Sequence, residues 1–365
     1  MNSRERILTA LDGGEPDRVP RALSCFTVDF EDLVPANRRR DDLVDCRTIY
    51  FPASKEEEQL FRRAVPVSPD TRLGTPSQIS TYTQWNYYPE DVAQRNPLAE
   101  AKTLDELKQF PFPNASGPHH AKGLMRQVDD LHARGLAAGG SLPHLGGELF
   151  EGAWRLRGLD NFLIDLVRRP DMAHYLLDRL MELALRNAEA LAKAGIDLLT
   201  LDDDVGMPGT MIISPATWDE FFKPRLSKII QAARCFHPSL RVLYHSDGYF
   251  EPILEGLIEI GVNAIHPLQP EHMDAGRIRG RFGSSLAFWG TVGRQTTFSF
   301  GTPDLIRREV RERIDTLGRA GLILCPAYDI DEPDIPWENI AAFLEAVHEH
   351  GRPQAPPGST RVERE

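Results

Sequence analysis

Long apolar runs, paired cysteines and an excess of basic charge are all missing from this chain. No uninterrupted apolar stretch is long enough to span a bilayer, and Met1-Asn2-Ser3-Arg4-Glu5-Arg6 holds no apolar leader segment. The expectation is a soluble protein with no membrane role. Only four cysteines occur (Cys25, Cys46, Cys235 and Cys325), and none lie at CxxC spacing. That argues against a disulfide framework and fits a reducing, cytoplasmic compartment. With 42 Lys and Arg against 54 Asp and Glu, the formal net charge is -12. A surface of that sign argues against nonspecific nucleic-acid binding and leaves room for a local basic pocket. No GxGxxG run follows the first apolar segment, which disfavours a dinucleotide-binding open sheet.

Apolar residues gather instead in short runs. Residues 3–12 have the spacing of a short amphipathic helix, and Gly13 to Pro20 forms a turn feeding the uncharged run Ala22 to Val28, predicted as a first strand. Residues 30–125 carry many prolines, charges and exposed-looking aromatics (Trp85, Tyr87, Tyr88), so an irregular cap of short helices and a hairpin is expected there. From residue 126, helical stretches alternate with β-rich runs over 135–142, 197–201, 241–244, 264–268, 286–289 and 321–324. The helix over 171–194 repeats Leu, Met and Ala at helical spacing and stops at Gly195. Six alternating units plus the early strand predict an α/β fold, a closed parallel (β/α)8 TIM barrel with an elaborated N-terminal cap region, as one domain over 1–350. An open doubly wound sheet is the alternative. The proline- and charge-rich tail 351–365 reads as disordered.

In a parallel barrel, the loops after the C-terminal strand ends build the site. Here they hold Ser141 to His144 with Glu148 and Glu151, Asp202-Asp203-Asp204, His245-Ser246-Asp247, His266 with Gln269, Thr291 with Arg294, and Cys325 with Tyr328 and Asp329. Helix capping accounts for a lone Asp202 or Thr291, but it has no use for histidine or tyrosine. His245 and Asp247, two apart on extended chain, share one side. They can bind one metal ion, or form an acid/base pair in which Asp247 holds the imidazole tautomer; a histidine tied into a turn by aspartate is the structural alternative. Three adjacent carboxylates should raise at least one carboxyl pKa, with Asp202 and Asp204 pointing one way and Asp203 the other. Cys325 follows Leu322-Ile323-Leu324 and fits a buried small residue as well as a thiolate ligand.

Several segments resemble the uroporphyrinogen decarboxylase superfamily, which includes the cobalamin-linked methyltransferases. They run from Arg4 to Leu11 and Pro16-Asp17-Arg18-Val19-Pro20 through Leu156-Arg157-Gly158, Asp202 to Gly206, Ser214-Pro215 and Phe221 to Pro224. The likeness is strongest in His245-Ser246-Asp247-Gly248, Leu257 to Val262, His266 to Pro270, Phe288-Trp289-Gly290 and Pro336-Trp337-Glu338-Asn339. It implies the (β/α)8 barrel. Decarboxylases of the family hold substrate carboxylates with an Arg-Gln-Ala-Gly-Arg-Tyr segment after the first strand, whereas here Arg21 to Asp29 has one arginine, at its start. A porphyrinogen with several carboxylates would be left unpaired in a desolvated cleft, which disfavours haem-pathway decarboxylation.

The methyltransferase branch binds zinc through His-x-Cys and a distant Cys. The resemblance keeps His245 as the first ligand and puts Asp247 in the second place. Flanking residues place Tyr328 or Asp329 at the distant position, while total spacing favours Cys325. Carboxylate in place of thiolate makes the site harder and admits divalent ions other than zinc. The leading expectation is therefore a methyltransferase-type enzyme, metal-assisted, working with a corrinoid on a partner protein or a small methylated substrate. His245, Asp247, Asp329 and Cys325 would hold the metal, with Asp204 and Tyr328 joining the histidine and Asp247 in catalysis. His144, Glu148, Glu151, Asp202, His266, Gln269, Thr291 and Arg294 would contact substrate. Two alternatives stay open: a metal-free decarboxylase or lyase using His245, Asp247 and Tyr328 as acid/base groups, and a non-catalytic binder of a corrinoid or tetrapyrrole.

Overall fold

The computed structural model of the chain describes residues 1–23, 43–64, 76–85, 95–113, 119–283, 285–327 and 335–353. Among the described residues, seven strands form one wholly parallel sheet. They are β1 (Cys46–Ile49), β2 (Ala137–Ser141), β3 (Leu198–Asp202), β6 (Arg241–His245), β7 (Ala264–His266), β8 (Ala287–Trp289) and β9 (Leu322–Ile323), paired in that order. A separate antiparallel hairpin, β4 (Gly206–Met207) with β5 (Thr210–Met211), follows β3. The larger helices are α1 (Ser3–Leu11), α2 (His119–Ala133), α3 (Phe150–Arg157), α4 (Pro170–Ala194), α5 (Lys223–Phe236), α6 (Pro303–Leu317) and α7 (Trp337–His350).

Each helix covers the sheet with a stripe set by its 3.6-residue period. In α4, Met172, Leu176, Leu180, Leu183, Asn187 and Leu191 are all buried, Pro170 opens the first turn and Gly195 ends the helix in the left-handed region. Side chains on a strand alternate between faces, so each strand feeds two layers. One face meets the helices. The other holds Ala137, Leu198, Leu243, Ala264, Ala287, Ile323 and Cys325, packed together against Ile7, Ala10 and Leu11 of α1. Thr200 and Asp202 share the face of Leu198, and His245 shares that of Leu243. The inner face thus runs from an apolar floor sealed by α1 to polar strand ends.

The two edges of the sheet meet through residues 20–22. Ala22 donates its amide to the Leu324 carbonyl (2.9 Å), and the Arg21 carbonyl accepts from the Asp45 amide (2.9 Å). The Asp45 carboxylate closes the same loop, accepting from the Arg21 amide (2.9 Å), from Arg18 (2.7 Å to each oxygen) and from Arg6 (2.9 Å). The Pro16-Asp17-Arg18-Val19-Pro20 motif therefore belongs to a fastening: Asp17 pairs with Arg6, and Arg18 pairs with Asp45.

Several expectations need amendment. A sheet strand, β1, sits inside the stretch read as irregular cap; Cys46-Arg47-Thr48-Ile49 is too short and too polar to announce itself. Among the described residues a two-stranded hairpin lies after β3, while much of the stretch where one was expected lies outside the described residues. Trp85 is buried at 5% exposure within the main core, because helix Pro76–Trp85 turns its end inward. The predicted first strand past Leu23, Tyr87, Tyr88, and most of the tail lie outside the described residues. Among the described residues, no helix is long and apolar enough to cross a membrane.

Asp45 is fully buried. Burial pushes its carboxyl up, but the hydrogen bonds and charge of Arg18 outweigh that and hold it below the usual carboxylate range. Its ion pairs thus stabilise the fold above that range, and the contribution is lost as pH falls through the lowered value. Asp45→Ala leaves Arg18 without its carboxylate and Arg6 with Asp17 alone, and should cost roughly 3–5 kcal/mol, read as a lower urea midpoint at neutral pH with unchanged slope.

Candidate functional site

Pairing between strands fixes the site before any side-chain contact does. The β3–β6 register sets Asp202 beside His245, and the β6–β7 register sets His245 beside His266. All three are terminal residues of their strands. The loop after β3 is drawn onto the loop after β6 by a backbone approach that only glycine allows: a Cβ on Gly206 would lie 2.2 Å from the Asp247 carbonyl oxygen, and Gly248 has φ +76°. Asp204 Oδ1 then accepts from the Asp247 amide at 2.6 Å, and Ser246 Oγ accepts from the Val205 amide at 3.0 Å.

The result is a ring of carboxylates around one imidazole nitrogen. His245 Nε2 lies 3.8 Å from Asp202 Oδ1, 3.6 Å from Asp204 Oδ1 and 3.8 Å from Asp247 Oδ1. These separations are too long for direct hydrogen bonds. Among the described residues, ligand atoms of Asp202, Asp204 and His245 all lie within 4.8 Å of one another. On the other side of the ring, His245 Nδ1 meets His266 Nδ1 at 2.7 Å, with the imidazoles stacked at 4.9 Å. His144 Nε2 approaches Asp202 Oδ2 at 3.6 Å.

Asp203 turns away from this group. Its carboxylate accepts from the amides of Phe150 (2.8 Å) and Glu151 (3.0 Å), capping α3. The alternation expected along the aspartate run is therefore present, and capping falls to the middle member. Glu148 braces the strand end: its carboxylate accepts from the Asp202 amide (2.5 Å), and its own amide donates to the Asp202 carbonyl (2.9 Å). Glu151 pairs with Arg155 at 3.3 Å, an i,i+4 contact on α3 that sequence reasoning passed over although the spacing marks it. Gln269 Oε1 accepts from the Gly248 amide at 2.9 Å.

The remaining site residues stand further round. Thr291 is buried, its amide donating to the Cys325 carbonyl (3.1 Å). Arg294 opens a π-helical turn, Arg294–Phe298. Cys325 belongs to the apolar floor. Tyr328 and Asp329 lie outside the described residues.

Burial and crowding shape the charges. Burial first, then Asp204, Glu151 and Glu148, push the Asp202 carboxyl well above the usual range. Glu148 rises likewise, by burial against the hydrogen bond from the Asp202 amide. Glu151 is pushed up to about 8, by burial and then by Asp204. His144 falls to about 3 through burial, with Arg155 and His245 adding to the effect. Burial also lowers His245, against the pull of Asp204, and takes His266 well below its ordinary value. The histidines are neutral at pH 7, and the raised carboxyls of Asp202, Glu148 and Glu151 hold protons unless a cation relieves the crowding.

A parallel α/β sheet with titratable groups gathered at its C-terminal strand ends defines the class of the protein. The family model described as uroporphyrinogen decarboxylase (URO-D) matches residues 147–350, more than half of the chain, and the chain belongs to that family. Over 259 residues it is 23% identical to uroporphyrinogen decarboxylase 2, chloroplastic, of Arabidopsis thaliana, an alignment covering 70% of this chain and 62% of that relative. Over 196 residues it is 27% identical to the methylcobamide:CoM methyltransferase MtaA of Methanosarcina barkeri, covering 53% and 54% of the two chains. The solved structure of a methyltransferase from Methanosarcina mazei shares the fold with a TM-score of 0.66 at 18% identity, over 96% of this chain and 99% of that one.

Glu151 gives a direct check on the electrostatics. A carboxyl raised in the fold adds stability that is fully present below its ordinary value of 4.5 and is lost as pH rises through about 8. In protein treated with a chelator, wild type should lose thermal stability across that window. Glu151→Gln should show a shallower decline over the same range.

Proposed function

We propose that this chain is a methyltransferase-type enzyme of the URO-D family, built on a (β/α)8 barrel in which residues 20–22 begin the first strand. The observation that carries the reading is the convergence of Asp202, Asp204 and His245 at the strand ends. Two carboxylate oxygens and an imidazole nitrogen make a hard, mixed donor set, suited to zinc, manganese or iron(II). Such an ion, when bound, lowers the pKa of an acceptor thiol or hydroxyl and presents it as a nucleophile. The chain's own residues do the rest. Asp202 and Asp204 hold two oxygens facing His245 Nε2, while Asp247 stands as a third carboxylate beside that nitrogen. His144, neutral at pH 7, lines the same side of Asp202 and can bind substrate without adding charge. The methyl donor is a corrinoid carried by a partner protein or a small methylated molecule.

The same carboxylates weigh against a polyanionic substrate. Asp204, Glu151 and Glu148 all push the Asp202 carboxyl up, so a tetrapyrrole bearing several carboxylates would bring further negative charge into a crowded, desolvated site. A metal-free carboxy-lyase is the second reading, favoured by the short contact between His245 and His266 as an acid/base pair.

Elemental analysis separates the two. Purified protein should carry a stoichiometric divalent ion, and Asp204→Ala should weaken its binding on the order of 100-fold or more. Ion-free protein whose turnover is indifferent to chelators would transfer the assignment to the second reading.

A further inference from the structure

His266 was grouped with substrate contacts, yet its ring faces another ring. Its Nδ1 lies 2.7 Å from His245 Nδ1, and a contact that short between two ring nitrogens holds one proton, donated by one imidazole and accepted by the other. Both rings are buried, stacked with an interplanar angle of 25°. His266 also has no room to turn aside. A Cβ on Gly290 would lie 2.5 Å from its Cδ2 and 2.6 Å from its Nε2, and Gly290 has φ +71°. The bare backbone at Gly290 is the wall against which the ring is set.

We infer that His266 is the positioning residue of the cation site: it accepts a hydrogen bond from His245 Nδ1 and so keeps His245 Nε2 bare and aimed at Asp202 and Asp204. This rests on the cation reading above. A neutral imidazole carries one N–H, and a nitrogen that ligates a cation cannot carry it. Cation uptake at Nε2 therefore puts the proton on Nδ1, where His266 Nδ1 stands 2.7 Å away as the acceptor. The His266 proton must then sit on Nε2, a buried atom with no hydrogen-bond partner among the described residues.

Without a cation the order reverses. The carboxylates of Asp204 and Asp247 beside His245 Nε2 favour a proton on that atom, and His266 becomes the donor. The pair is thus a two-way contact whose direction reports occupancy. Phenylalanine at 266 would fill the volume with no acceptor. Asparagine can place its amide oxygen where His266 Nδ1 stands.

The test titrates zinc into metal-free protein by calorimetry for wild type, His266→Phe and His266→Asn, with 15N NMR of labelled histidines before and after zinc. His266→Phe should weaken zinc binding roughly 10–100-fold, and His266→Asn should restore most of the loss. In wild type the His245 proton should move from Nε2 to Nδ1 on zinc addition. Equal affinity for wild type and His266→Phe, or a His245 that keeps its proton on Nε2 with zinc bound, overturns this inference and leaves the cation site standing. Wild-type protein that takes up neither zinc nor, in parallel titrations, manganese or iron(II) overturns the cation site and this inference together. Should His266→Phe fail to fold, the wild-type spectra decide.

Discussion

Parallel pairing of β3, β6 and β7 sets Asp202, His245 and His266 abreast at one level of the sheet. Side chains alternate along a strand, so a slip of one residue in any of these pairings would turn its member of the set toward the helices. Register is held by the apolar floor beneath. Leu198, Leu243 and Ala264 belong to one apolar cluster with the side chains of α1, and polar strand ends follow on the same face two or four residues later. Site and core are one pattern read at two heights.

Crowded carboxylates are the second constraint, and they are brought together by backbone rather than by attraction. The approach of Gly206 to the Asp247 carbonyl holds the two loops close, and Asp204 is spent partly on the Asp247 amide. Like charges held this way have two means of relief, protons or a cation. The buried histidines are too strongly pushed toward the neutral form to supply the missing positive charge. That is why one geometry serves both a cation site and an acid/base site.

Much of this could be read from the chain. The β-rich runs after residue 126 are apolar segments between amphipathic helices, and six became strands with ends shifted by a residue or two. β1 could not be read, since a four-residue strand with an arginine carries no periodic signal. Nor could the bridging by residues 20–22, which depends on Asp45 meeting Arg18 and on Leu324 reaching Ala22. At the site, His245 and Asp204 stood out by type. The sequence alone puts Asp202 among substrate contacts, because its part beside His245 follows from inter-strand register. His266 was visible as a residue, but its contact with His245 was not, for the same reason. Asp203 showed only the opposite facing; its use as a helix cap depends on where α3 begins.

The bridging of the sheet edges also has a consequence for the order in which the molecule can be made. Residues 20–22 emerge early in synthesis, but their partner at Leu324 comes some three hundred residues later. Until then Asp45 can hold Arg18 and Arg21, a nearby pairing with little loop to close, while the other edge waits. α1 packs against both β2 and β9, so its side toward β9 waits as well. A nascent chain of this protein therefore carries an open-edged sheet until its last strand arrives, and its exposure to wrong partners is set by the time taken to translate the final third.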